Sequence, residues 1–141
     1  MRSIWLGSAV AAYITIEAVN AAFAQSEIGK DDYLKLCSGC HGVTGKGDEP
    51  NGKGLHKPPA DLTKLLQTND GKFPLLRVYL TIDGRLETIM HGPRDMPNLF
   101  DTLRRDIMSR RADYLSYEFA EGLARLRMVE VIEYVMTLQR N

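Results

Sequence analysis

The clearest run of apolar positions at helical spacing lies at the C-terminal end. Leu123, Leu126, Val131, Tyr134, Val135 and Leu138 form a mostly apolar face, with Glu130 and Glu133 set off it. That pattern predicts a helix over Tyr117 to Arg140. Upstream, Asp101 to Arg111 reads as a helix carrying Arg104, Arg105, Arg110 and Arg111. Phe73 to Ile82 has Pro74 near its start and Gly84 beyond its end, which are helix start and stop signals. Val78, Leu80 and Ile82 alternate as a strand would, but helix is the preferred reading. A short helix is expected to begin at Asp61 to Thr63, around Leu65 and Leu66. Ile28 to Leu36 places Gly29, Tyr33 and Leu36 on one helical face. Asp31 and Asp32 sit near its start, where carboxylates suit the helix dipole.

Two stretches between these elements have no period. Gly42 to Pro59 is rich in glycine and holds Pro50, Pro58 and Pro59; His91 to Phe100 turns around Pro93 and Pro97. Long irregular loops are uncommon in a small domain unless they are functional. A large bound cofactor would fill the space they enclose. The expectation is therefore an all-α chain with a small apolar core of its own.

The first residues have a different character. Arg2 precedes an uncharged run from Ile4 to Ile16, and Ala22-Phe23-Ala24 is a small-residue cleavage pattern. This predicts a signal peptide over residues 1–24 and one mature domain over residues 25–141. The competing reading is an uncleaved membrane anchor, but Glu17 within it would be costly in hydrocarbon. Cleavage leaves no membrane span and points to the bacterial periplasm or the cell exterior, with the periplasm as the preferred reading. The whole chain of 141 residues is 44% hydrophobic and 26% charged with zero formal net charge, which fits one ordinary globular domain. That balance lacks the basic excess of nucleic-acid binders.

The chemistry-bearing motif is Cys37-Ser38-Gly39-Cys40-His41. The chain has 2 cysteines, too few for a disulfide scaffold. A redox dithiol, a zinc site, a plain disulfide and covalent haem could each use this spacing. A thioredoxin-like dithiol needs a βαβ context, and the lead-in here is helical. Zinc could draw on Cys37, Cys40, His56 and His91, but that spacing matches no familiar module. A disulfide leaves His41 and the loops unexplained. C-x-x-C-H is the attachment signature of c-type haem. Each thiol can add across a haem vinyl group, and the adjacent imidazole then serves as proximal iron ligand. Haem is the preferred reading, and export agrees with it.

From Gly29 to the C-terminus the chain resembles class I cytochromes c, the small soluble single-haem type of bacteria. The resemblance rests on the C-x-x-C-H motif, on Gly29 and Tyr33 at eight and four residues before Cys37, and on Met96-Pro97 well past the motif. It implies the cytochrome c fold, with N- and C-terminal helices packed around one covalently attached haem c. Gly29 and Tyr33 would then meet Val131 and Tyr134. Cys37, Cys40, His41 and Met96 would hold the haem, with His41 and Met96 as iron ligands. His91 is the rival to Met96, and Met90 a lesser one. A carbonyl of Pro58 or Pro59 would accept the His41 N–H, and Leu62 and Leu66 would wall the haem. The departures are Asn98 and Leu99, where the family carries an aromatic residue, and the long arginine-rich segment around residues 104–111. That segment suits an acidic partner or is a solvated face, and Lys35, Lys46, Lys53 and Lys57 could steer such a partner.

The implied function is electron transfer rather than enzymic turnover. Partners would be an upstream dehydrogenase or quinol-oxidising complex and a downstream oxidase, reductase or cytochrome. The alternatives are a haem enzyme or gas sensor with an open distal site, or the cytochrome subunit of an oxidoreductase complex.

Overall fold

The computed structural model describes residues 27–48, 55, 58–84, 96–111 and 115–140. The predicted signal peptide, His56, Met90 and His91 lie outside these residues. Among the described residues the chain is helical and contains no strand. Helix α1 covers residues 27–36, and α2 (Ser38–His41) follows it after a break at Cys37. Next come α3 (Leu75–Ile82), α4 (Leu99–Arg111) and α5 (Tyr117–Thr137). The segment expected as a short helix forms two 3-10 turns instead, Leu62–Lys64 and Gln67–Asn69.

Local chemistry sets these boundaries. Asn98 accepts a hydrogen bond from the Asp101 backbone N–H at 2.9 Å, so α4 begins before the predicted Asp101. Ser116 does the same for Phe119 at 3.2 Å and opens α5. Asp61 accepts from the Thr63 backbone and hydroxyl at 3.0 and 2.7 Å, which holds the first 3-10 turn. The Phe73–Ile82 segment is the helix preferred over a strand, and the chain leaves it through Gly84 at φ 76°.

Helix α5 is the centre of the structure and packs against α3 and α4. Leu99, Leu103 and Ile107 of α4 join Ala120, Ala124, Met128, Val131 and Ile132 of α5 in one buried cluster, with Ile82 of α3. The small side chains of Ala120 and Ala124 let that face lie close to its neighbours. The predicted face of α5 needs correction. Leu126 is exposed, whereas Met128 is fully buried and Glu130 is 7% exposed. Several elements cover α5, so its burial does not follow a single stripe.

The crossing of α1 over α5 has the contacts expected for Gly29 and Tyr33. A Cβ at Gly29 would collide with the backbone carbonyl of Glu130 and come within 3.1 Å of the Val131 nitrogen. Glycine permits that approach. Tyr33 is fully buried, with its ring 5.1 Å from that of Tyr134. An ion network fastens the same crossing. Asp32 is 2% exposed and accepts from both Nε, at 2.8 Å, and Nη2 of Arg127. Arg127 Nη1 also donates to Asp106 at 3.3 Å, so one guanidinium ties α1, α4 and α5 together. Burying a carboxylate is tolerable only with such pairing.

Candidate cofactor site

The motif sits where α1 passes into α2. The Cys37 N–H donates to Tyr33 O at 2.8 Å, and Cys37 O accepts from Cys40 at 3.2 Å and His41 at 2.9 Å. Residues 37–41 thus form one helical turn, and Cys37, Cys40 and His41 share a face at i, i+3 and i+4. Gly42, at φ 78°, ends the turn. The Tyr33 hydroxyl donates to its carbonyl at 2.7 Å, which fixes the exit of the motif to the α1–α5 crossing.

The loop then folds back. Gly47 donates to His41 O at 2.8 Å, and Leu62 donates to Gly45 O at 2.7 Å. This return brings Ala60 O to 3.1 Å from His41 Nδ1. With Nδ1–H donating there, Nε2 is the basic nitrogen of the ring. The acceptor is therefore Ala60 rather than the expected Pro58 or Pro59. The Pro59 carbonyl instead lies against Gly47, where a Cβ would collide with it, and the next carbonyl along the chain is the one that meets the ring.

Cys37, Cys40 and His41 line a cavity of about 260 Å³ together with Met96 and Pro97. Met96 is half-buried and packs against the apolar core. Leu36, Leu55, Pro58, Pro59 and Leu99 supply most of the remaining wall among the described residues, and Lys35, Gly39 and Thr102 also line it. Leu62 and Leu66, expected as walls, do not line this cavity. They belong to a turn tied to the C-terminal end: Gln139 donates to Leu62 O at 2.7 Å and accepts from Leu66 N at 3.1 Å. Ala60 and Thr102 were not legible as site residues. Ala60 acts through its backbone, which no residue type announces, and Thr102 is an ordinary helix position.

Both cysteines are unbridged and half-buried. Burial pushes the Cys37 thiol up to about 12, with Asp32 and Cys40 adding to the effect. A redox dithiol needs the opposite, a thiol whose pKa is lowered. Burial likewise raises the Tyr33 hydroxyl, with Cys37 and Tyr134 contributing. Among the described residues no cluster of three or more His, Cys, Asp and Glu side chains could hold a metal ion. His56 and His91, which the zinc reading requires, lie outside those residues.

The other methionines have other places. Met128 is core, Met136 is exposed, and Met108 packs half-buried beside the core. Arg104, Arg105 and Arg110 of α4 are engaged close by. Arg104 pairs with Asp101 at 3.1 Å and lies 5.0 Å from the Tyr117 ring centre, Arg105 donates to Asp101 O at 3.1 Å, and Arg110 pairs with Asp106 at 2.9 Å. Lys46 is exposed, and Lys53 and Lys57 lie outside the described residues.

No protein-family model, curated protein or solved structure matches this chain. Among the described residues no helix is long and apolar enough to cross a membrane.

Proposed function

We propose that this chain is an exported, single-haem c-type cytochrome that carries electrons between protein partners in the periplasm. The observation that carries the reading is the face shared by Cys37, Cys40 and His41, turned to the same cavity as Met96. The donor set fits the group. Two thiols on one turn can form two thioethers, an imidazole held through Nδ1 can bind iron, and a thioether sulfur is a soft ligand suited to ferrous iron. Cys37 and Cys40 would anchor the haem, and His41 and Met96 would ligate it. When bound, the haem supplies one-electron Fe(III)/Fe(II) chemistry.

The chain's own residues do the rest. Ala60 O holds the proton on His41 Nδ1 and so orients the ring. Leu36, Leu55, Leu99 and the prolines keep the cavity apolar. The α1–α5 crossing at Gly29 and Tyr33 fixes the motif's lead-in, as the cytochrome c fold requires. Redox partners would be a dehydrogenase or quinol-oxidising complex on one side and an oxidase, reductase or further cytochrome on the other.

The test is a visible spectrum of the purified protein, oxidised, reduced, and reduced with CO, with acid-acetone extraction alongside. The expected protein keeps its haem through extraction and binds CO poorly. The double variant Cys37→Ala, Cys40→Ala should retain no covalent haem. Covalent haem persisting in that variant defeats the proposal, and avid CO binding by the unaltered protein replaces it with the open-site alternative.

A further inference from the structure

Helix α5 carries a second pattern on the side turned away from the core. Phe119, Gly122, Leu126, Val129, Glu133 and Met136 follow one another at alternating intervals of three and four residues. That is the spacing of the inner positions of a coiled coil, which keeps a stripe turned to one partner helix along its whole length. All six residues are exposed. The four apolar side chains are between 39% and 59% exposed, whereas Ala124 and Val131, on the opposite side of the helix, are in the core. Single apolar side chains at a surface need no explanation, but a stripe about 26 Å long at this period does.

The order of the residues selects what fits the stripe. If a second copy of α5 lies along it in the same direction, each residue meets its own counterpart. Glu133 then faces Glu133, two like charges, and Gly122 faces Gly122, which leaves a gap. With the second copy reversed and the two-fold axis between Leu126 and Val129, every position finds a different partner. Leu126 meets Val129, Phe119 meets Met136, and Glu133 meets Gly122. A Cβ at Gly122 has nothing within 4 Å, so the longer side chain has room to pass out to water there. Shape and charge therefore both favour the antiparallel copy, and the contact is isologous, as in closed dimers. A carboxylate in mid-stripe also counts against a lipid surface, which would bury it without a partner. One helix pair of this length buries on the order of 1,000 Å², the low end for a specific interface, so the dimer is weak and reversible.

We infer that α5 docks antiparallel against α5 of a second copy of this chain, through the stripe from Phe119 to Met136. The inference stands apart from the proposed electron-transfer function, because none of the six residues lines the cofactor cavity.

Sedimentation equilibrium of the purified protein between about 5 and 500 µM tests it. The weight-average mass should climb from one copy toward two across that range. Leu126→Glu should keep the protein monomeric throughout. Glu133→Leu should tighten the dimer about tenfold by removing the charge from the contact. Gly122→Lys sets a cation against Glu133 of the second copy and Gly122→Glu sets an anion there, so the lysine variant should dimerise several-fold more tightly. These positions are exposed, so the variants are expected to fold, and far-UV circular dichroism checks it. A monomer at every concentration overturns the inference, and phosphatidylglycerol vesicles bound through Leu126 would then give the face to lipid. A dimer indifferent to folded Leu126→Glu, or equal affinity of the two Gly122 variants, overturns it as well.

Discussion

Replacing Gly29 with alanine sets two helix effects of opposite sign against each other. In a helix interior, alanine is favoured over glycine by about 0.8–1.0 kcal/mol. At Gly29 the added methyl would land on the backbone of α5, at the Glu130 carbonyl, with Val131 N 3.1 Å away. Backbone atoms cannot rotate aside, so α1 and α5 must separate. That separation disturbs the Tyr33–Tyr134 ring contact and the 2.7 Å bond from Tyr33 to Gly42. Overpacking of this kind costs about 1–3 kcal/mol, and a loosened buried hydrogen bond adds about 1 kcal/mol. The loss exceeds the propensity gain, giving a net destabilisation of about 1–3 kcal/mol. Gly122 is the control. It lies on α5, and a Cβ there meets nothing within 4 Å. Gly122→Ala should therefore stabilise by roughly the full propensity difference. Urea unfolding followed by far-UV circular dichroism measures both variants against the parent. If Gly29→Ala raises the midpoint as Gly122→Ala does, the close crossing of α1 and α5 is wrong.

The remaining predictions concern the ion network, a buried acid and the distal loop. Arg127→Met strands the buried Asp32 carboxylate and should cost about 3–5 kcal/mol in the same unfolding assay, with Asp32→Asn in that background recovering part of it. The Glu130 carboxyl is raised above its usual range by burial first and by Asp32 second. The folded state then holds its proton more tightly than the unfolded chain, so this group's effect on stability falls as pH rises through its folded pKa. Glu130→Gln should gain on the parent at neutral pH and converge with it below about pH 4, the ordinary glutamate range; parallel urea midpoints across pH would contradict this. Under the proposed function, Met96→Ala should abolish the weak thioether–ferric charge-transfer band and open the iron to CO, and if His91→Ala does so instead, the distal assignment moves to His91.

Much of the framework was legible because local rules sufficed. Pro74 and Gly84 bracket α3, and the apolar spacing of the last segment gives a long helix. Gly29 and Tyr33 were legible as a pair through resemblance, and their contacts with α5 are present. The inner face of α5 was not legible. Ala120 and Ala124 carry little hydrophobic signal, yet both are fully buried, whereas the strongly apolar Leu126 is 52% exposed. Burial there depends on which neighbours arrive, and single-chain periodicity holds no information about them.

By itself the sequence determined the chemistry at one turn: thiols at i and i+3 and an imidazole at i+4 share a face wherever that turn is helical. Tertiary structure decided what that face meets. The fold of the loop against Gly47 selected Ala60 rather than a proline as the partner of His41, because a backbone carbonyl is placed by chain path and not by residue type. It also brought Met96 to the same cavity and set Asp32, Arg127 and Asp106, far apart in the chain, into one network. Such placements arise only when helices pack, since packing fixes distances between residues that no local spacing relates.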